Sequence, residues 1–68
     1  MSIYAVFKNI KKVRKEKFKE TQEEFSERCG ISVETLSNLE RGAVSPQFET
    51  VFKIAFAAGV SLDLLVKP

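Results

Sequence analysis

The sequence predicts an all-α fold, a compact domain of five short helices. Three observations indicate it: apolar residues recur at intervals of three and four, capping residues and glycines divide the chain, and no segment alternates with a period of two. The 68 residues, 44% hydrophobic and 29% charged, are predicted to form a single domain over residues 1–68. A domain of this size buries only about 60% of its unfolded surface, so a partner chain would add stability.

The first two helices are predicted from an apolar stripe and a cap. Residues from about 3 to 17 form an amphipathic helix with lysines between its apolar positions, which are Ile3, Val6, Phe7, Ile10 and Val13. Thr21 and Glu24 then match a capping box, in which each side chain accepts a hydrogen bond from the other residue's amide. The second helix turns Phe25 and Cys29 to one face and ends at Gly30, which can adopt a positive φ.

The remaining three helices are predicted from the same signals, a capping residue at the start and a glycine near the end. Ser32 is a good N-cap for a third helix that runs to about Arg41 and ends at Gly42, with Leu36 and Leu39 facing the core. Ser45 and Pro46 are predicted to open a fourth helix as cap and first residue. The predicted buried stripe of the fourth helix is Phe48, Val51, Phe52, Ala55 and Ala58. A short fifth helix is predicted beyond Gly59, with the residues Ser61, Leu62, Asp63 and Leu65.

Several function classes are excluded by composition. The chain has no histidine and one cysteine, Cys29, so no internal disulfide, metal site or cofactor is expected, and a reducing cytoplasmic location fits. Cys29 is predicted to be a small buried residue rather than a redox switch. No apolar run is long enough to cross a bilayer, and no signal peptide or membrane partner is expected.

A catalytic role is not expected either. An acidic run could suggest paired catalytic carboxylates, but the chain lacks histidine and a glycine-rich phosphate loop; the run is Glu20, Glu23, Glu24 and Glu27.

Positive charge is concentrated at the amino-terminal end. Net charge is only +2, yet residues 1–19 hold seven basic residues against one acidic residue, while the rest of the chain holds four against eight. This asymmetry is typical of a surface that faces a polyanion, and also of a helix whose lysines only keep it soluble.

Residues 21–42 carry the pattern that points to function. Two helices joined by a tight glycine turn must cross steeply, and the outer side of the second helix then protrudes in a shape suited to the DNA major groove. On that side the third helix offers small or polar residues rather than paired lysines and glutamates, namely Val33, Glu34, Ser37, Asn38 and Arg41.

This stretch closely resembles the helix-turn-helix of Cro/repressor-type (Xre family) DNA-binding proteins, which include lambda-like repressors and restriction–modification controller proteins. The start TQEEF, the turn CGIS, the end LSNLERG and the tail SPQFETVFKIAFAAGVSLDLL all match, and the likeness extends from about Ile10 to Leu65. It implies a lambda-repressor-like five-helix fold. It also implies a sequence-specific transcriptional regulator of repressor or controller type that binds double-stranded DNA, reads the major groove with helix 3 and recognises a pseudo-palindromic operator.

The resemblance also implies roles for individual residues. Val33, Glu34 and Asn38 occupy base-reading positions, although each could instead be an exposed helix residue that contacts nothing. Arg14 and Glu40 match a structural ion pair between helices 1 and 3. The residues expected at the DNA backbone are Gln22, Ser32, Thr35, Ser37, Arg41, Ser45, Gln47 and Lys19.

Two departures from the family pattern concern charge and spacing. The segment from Arg14 to Gln22 is one residue longer than usual, so Lys15 could replace Arg14 beside Glu40. The loop of residues 42–45 lacks the basic residues that relatives often place there. Fewer phosphate contacts should make DNA binding depend less steeply on salt, unless the lysine-rich helix 1, and particularly Lys19, supplies the missing contacts.

A third departure concerns apolar surface. Phe52, Phe56 and Leu64 widen the apolar stripe of the last two helices, with Phe56 and Leu64 where relatives carry polar residues, and this favours a homodimer, a thicker internal core being the alternative. A rival function is an antitoxin-like protein-interaction module, in which the same scaffold binds a toxin or a larger regulator.

Overall fold

Five α-helices form where the caps and apolar stripes predict them in the computed structural model, which describes the backbone of residues 3–68 and the side chains of residues 5–68. The predicted apolar position Ile3 therefore lies outside the described side chains. The helices are α1 (Ile3–Lys12), α2 (Gln22–Cys29), α3 (Val33–Glu40), α4 (Phe48–Ala58) and α5 (Leu62–Val66). The all-α, five-helix prediction is confirmed.

The first helix does not end at Lys12 but continues as a π-helical segment, Val13–Phe18, hereafter the π-segment. A π-helical turn is wider than an α-helical one and holds more residues. The segment ends at Lys19, whose backbone is left-handed (φ 54°) and whose N–H donates to the Arg14 carbonyl.

Local capping follows the sequence closely. The Glu24 amide donates to Thr21 Oγ1 at 3.2 Å, and the Thr21 amide donates to Glu24 Oε1 at 2.9 Å, which completes the capping box. Ser32 and Ser61 cap α3 and α5 with one hydrogen bond each, their hydroxyls accepting from the Thr35 and Leu64 amides at 3.0 and 3.1 Å. Gly42, just after α3, has a positive φ of 72°, and a Cβ placed there would lie 3.1 Å from the Phe7 ring.

The predicted start of the fourth helix is wrong. α4 begins at Phe48, and its N-cap is Gln47, whose backbone is extended (ψ 141°) and whose side chain makes no capping hydrogen bond. A proline fixes its own φ and restricts the residue before it, but it does not make the residue after it helical. Ser45 and Pro46 therefore belong to the loop between α3 and α4.

One core joins the described helices. α1 packs on α3 and α5, and α2 packs on α3 and α4. The Asn9 amide fixes the chain end to α1, since its Nδ2 donates to the carbonyls of Leu65 at 2.9 Å and Lys67 at 2.7 Å. The buried apolar residues are Val6, Phe7, Ile10, Val13, Phe25, Cys29, Leu36, Leu39, Val51, Ile54, Ala55, Ala58 and Leu65.

The predicted buried stripe of the fourth helix is wrong at Phe48 and Phe52. These side chains are 70% and 53% exposed, whereas Val51, Ala55 and Ala58 are buried together with Ile54. Each step of four residues turns 40° past a full helical turn, so Phe48, Phe52 and Phe56 follow a line of their own on α4. The other helices cover the neighbouring face of α4, which carries Val51, Ile54, Ala55 and Ala58.

No helix in the described part of the chain combines the length and apolar character that a bilayer span requires.

Candidate nucleic-acid interface

The turn between α2 and α3 is held by backbone hydrogen bonds and one glycine. Gly30 has φ 71°, its N–H donates to the Glu27 carbonyl, and the next amide, that of Ile31, donates to the Ser26 carbonyl at 3.1 Å. Two orphan carbonyls of α2 are thereby satisfied within the turn. Leu36 and Leu39 then fix α3 to the core, with exposed fractions of 0% and 2%.

Burial of that inner side leaves an outer face of α3 turned to solvent, formed by Val33, Glu34, Ser37, Asn38 and Arg41. These residues share one side because they are separated by intervals of three and four. Val33, Glu34 and Arg41 are exposed, and Ser37 and Asn38 are half-buried. All three residues expected to read bases lie on this face.

Asn38 and Arg41 contact each other on the outer face. Arg41 donates from Nη2 and Nε to Asn38 Oδ1, at 2.8 and 3.3 Å. The Arg41 guanidinium thus occupies the amide oxygen of Asn38. The NH₂ group of Asn38 is left to donate hydrogen bonds to other acceptors.

An ion pair ties the π-segment to α3 behind this face. Arg14 Nε donates to Glu40 Oε2 at 2.7 Å, and Arg14 Nη2 donates to Glu40 Oε1 at 2.9 Å. Arg14 Nη1 reaches the Glu20 carbonyl at 2.8 Å, and Gln22 Nε2 donates to Glu40 Oε1 at 3.0 Å. The bond to Glu40 raises the pKa of Arg14 above its ordinary value. Lys15, the alternative partner, is exposed.

Beside the outer face lies an open basic groove of about 290 Å³. It is bounded by α1, the π-segment, the start of α2 and the end of α3, and is lined by Lys11, Arg14, Lys15, Gln22, Ser37, Glu40 and Arg41. Three of the residues expected at the DNA backbone therefore meet in one place: Gln22, Ser37 and Arg41. Lys11 and Lys15, which also line the groove, were not among the predicted site residues, although their four-residue spacing was a usable signal.

The other expected backbone residues do not line this groove. Ser32 Oγ donates to Thr35 Oγ1 at 2.8 Å, so both hydroxyls lie together at the start of α3. Ser45 is exposed in the loop before α4, and Gln47 is the exposed residue that precedes that helix. Lys19 is exposed next to Glu20, which forms a 2.8 Å ion pair with Arg28.

The apolar residues expected at a dimer interface fall into two places. Phe52 and Phe56 form, with Phe48, a phenylalanine face on α4, and the Phe48 and Phe52 ring centroids are 6.2 Å apart. Phe56 is 82% exposed. Leu64 is 49% exposed but lines a different groove, between the π-segment and α5.

Cys29 is buried in the core at the end of α2, as the sequence predicts. Burial raises the pKa of its thiol from 9.0 to about 11, so the group is protonated at neutral pH. That state fits packing rather than redox chemistry.

Comparisons with known proteins agree with this geometry. A helix-turn-helix family model matches residues 10–65. An uncharacterized HTH-type transcriptional regulator, y4dJ of Sinorhizobium fredii, is 45% identical over 60 residues, which are 88% of this chain and 77% of that protein. YqaE of Bacillus subtilis, also named an uncharacterized HTH-type transcriptional regulator, is 37% identical over 59 residues; the match covers 87% of this chain and 50% of the relative. No solved structure matches the chain significantly.

The matched segment contains the whole helix-turn-helix, the Arg14–Glu40 pair and the phenylalanine face. It also extends over nearly the range of the resemblance seen in the sequence, about Ile10 to Leu65. The chain belongs to the Xre-like helix-turn-helix family.

Proposed function

We propose that this chain is a DNA-binding transcriptional regulator, of repressor or controller type, that recognises a specific double-stranded sequence by placing α3 in the major groove. One observation carries the proposal: the outer face of α3 is turned to solvent while Leu36 and Leu39 on its inner side are buried. The major groove, about 12 Å wide, admits one α-helix. The names of the two relatives support the same function.

In this proposal Val33, Glu34 and Asn38 contact bases. Val33 packs against a thymine methyl group, Glu34 accepts a hydrogen bond from cytosine N4, and Asn38 pairs with adenine N6 and N7. Arg41 donates to Asn38 Oδ1 in the free protein. The N6 amino group of adenine must therefore either share this oxygen with Arg41 or displace Arg41 from it. Arg41 released in this way would reach a phosphate, so base reading and backbone contact are linked at this pair.

Phosphate contacts then fix the position of α3 on the duplex. Gln22 lies at the start of α2 and donates to Glu40 of α3 at 3.0 Å, and in this proposal its side-chain amide contacts a phosphate. The remaining proposed backbone contacts are Ser32, Thr35, Ser37, Arg41, Ser45, Gln47 and Lys19.

A homodimer is the second part of the proposal. Phe48, Phe52 and Phe56 expose more than half of their side-chain surface along one helix, and an exposed apolar patch of this kind marks a protein interface. Under two-fold symmetry a helix face meets its own copy, and the two recognition helices lie about 34 Å apart on a pseudo-palindromic site. Leu64 lies in the separate groove between the π-segment and α5, so the phenylalanine face and Leu64 do not form one continuous patch.

Selection of bound duplexes from a random pool tests DNA recognition. We expect an enriched palindrome, and Asn38→Ala should weaken binding to it by about 1–3 kcal/mol with a smaller effect on unrelated duplexes. Glu23→Ala, at an exposed position on α2, is the control and should bind like the wild type. An equal loss on all sequences would count against base reading by Asn38.

Sedimentation tests the dimer and its rival. Phe56→Glu places a charge on the phenylalanine face and should convert a dimeric protein to a monomer. A wild-type mass of one chain at micromolar concentration contradicts the homodimer. That result would leave the phenylalanine face for a different protein, as in the antitoxin-like alternative.

A further inference from the structure

The basic groove borders the surface proposed to read bases. Ser37 and Arg41 belong both to the groove and to the outer face of α3. A duplex seated on α3 therefore brings the backbone of one strand over the groove, because the groove opens along the edge of the same helix.

Charges on the groove floor cancel, whereas those on its rim do not. Glu40 accepts from Arg14 through both oxygens and also from Gln22, and the remaining Arg14 donor is on the Glu20 carbonyl. Among the described residues, no carboxylate forms an ion pair with Lys11, Lys15 or Arg41. The rim is accordingly a set of three cations around a neutral floor.

Two other basic side chains, those of Lys17 and Arg28, are engaged elsewhere. Lys17 Nζ donates to the Ala58 carbonyl at 2.9 Å and lies 5.5 Å from the Phe18 ring centroid, which directs it towards the end of α4. Arg28 is paired with Glu20 and lies 4.1 Å from the same ring. These cations are held away from the groove by their contacts.

Lys11 and Lys15 are four residues apart, one at the end of α1 and the other in the π-segment, and each carries its ammonium on a flexible four-carbon stem. Both also line a neighbouring concavity, which contains Lys8 and Lys12 together with the acidic Glu16. The loop of residues 42–45 has no basic residue to compete for the same strand.

We propose that Lys11 and Lys15 bind the phosphodiester backbone of the duplex beside the base pairs contacted by α3. In this site Arg41, Ser37 and Gln22 complete the donors around a phosphate group, and the two lysines extend the contact along the strand. The inference rests on the proposed function. It assigns to the first helix the phosphate contacts that the loop before α4, which has no basic residue, cannot make.

The test measures how the affinity for duplex DNA depends on salt. The duplex enriched by the wild-type protein is titrated by fluorescence anisotropy at several salt concentrations with the wild type and with Lys11→Gln/Lys15→Gln. Each phosphate contact contributes about 0.9 to the slope of log affinity against log salt, so the double variant should lose about 1.8. Sequence preference should stay unchanged, because phosphates carry no base identity.

Lys53→Gln/Lys67→Gln is the matched control, since both lysines are exposed, do not line the basic groove and remove the same charge. Circular dichroism should show native helix content in both double variants, as glutamine is a good helix former. An unchanged slope in Lys11→Gln/Lys15→Gln, or an equal loss in the control, overturns the inference while leaving DNA recognition intact. A wild-type protein that binds no duplex overturns both proposals.

Discussion

Replacing Arg14 with methionine tests the ion pair that joins the π-segment to α3. The Arg14 and Glu40 side chains are only 8% and 3% exposed. Removing one partner leaves the Glu40 carboxylate with Gln22 as its remaining donor. Loss of one member of a buried pair costs about 3–5 kcal/mol, and the lower end applies here because the pair forms the floor of an open groove.

A loss of about 3 kcal/mol is large for this chain. Domains are stable by about 0.05–0.15 kcal/mol per residue, which is about 3–10 kcal/mol for 68 residues. Urea unfolding followed by circular dichroism measures the loss directly. With a slope of about 1 kcal/mol per molar urea, the unfolding midpoint should fall by about 3 M, or the variant should be partly unfolded without urea.

Two further variants make the measurement specific. Lys15→Met removes the same charge from the adjacent exposed residue and should change the free energy of unfolding little. Arg14→Met/Glu40→Leu removes both charges and should be more stable than the sum of the single losses predicts, by about 2 kcal/mol. If Lys15→Met were the more destabilising single change, the assignment of the pair to Arg14 would be refuted.

Two other predictions concern the backbone and a thiol. Lys19→Gly should stabilise the fold by up to about 1 kcal/mol in thermal unfolding, because Lys19 holds a left-handed backbone that glycine adopts without steric cost; a destabilised variant would contradict this. For Cys29, burial raises the pKa to about 11, so between pH 9 and 11 the unfolded chain loses the thiol proton that the folded chain keeps. Stability should therefore decline through this window more steeply in the wild type than in Cys29→Ala, as measured by urea unfolding at several pH values, and parallel curves would exclude the effect.

Features decided by residues three or four apart could be predicted from the sequence. The Thr21–Glu24 capping box, the Ser32 and Ser61 caps and the left-handed Gly30 depend on hydrogen bonds and sterics within one turn of chain, and the structure has all of them. The same locality explains why the exposed side of α3 could be identified. Once Leu36 and Leu39 face the core, helical geometry fixes which neighbours point away from it.

Features decided by how helices pack could not be predicted in this way. The exposure of Phe48 and Phe52 depends on which side of α4 the other helices cover, and a run of apolar residues on two adjacent sides of a helix leaves that choice open. The start of α4 at Phe48 rather than Pro46 likewise depends on an extended Gln47.

The site shows the same division. The sequence by itself determined that a helix-turn-helix with an exposed polar face is present, because caps, glycines and apolar spacing act locally. Only the tertiary structure decided that Arg14 and not Lys15 contacts Glu40, and that Lys11 and Lys15 line a groove with Ser37 and Arg41. The physical reason is rotation: a π-helical turn in the first helix changes the direction in which each later side chain points, and that direction is fixed by packing against distant residues.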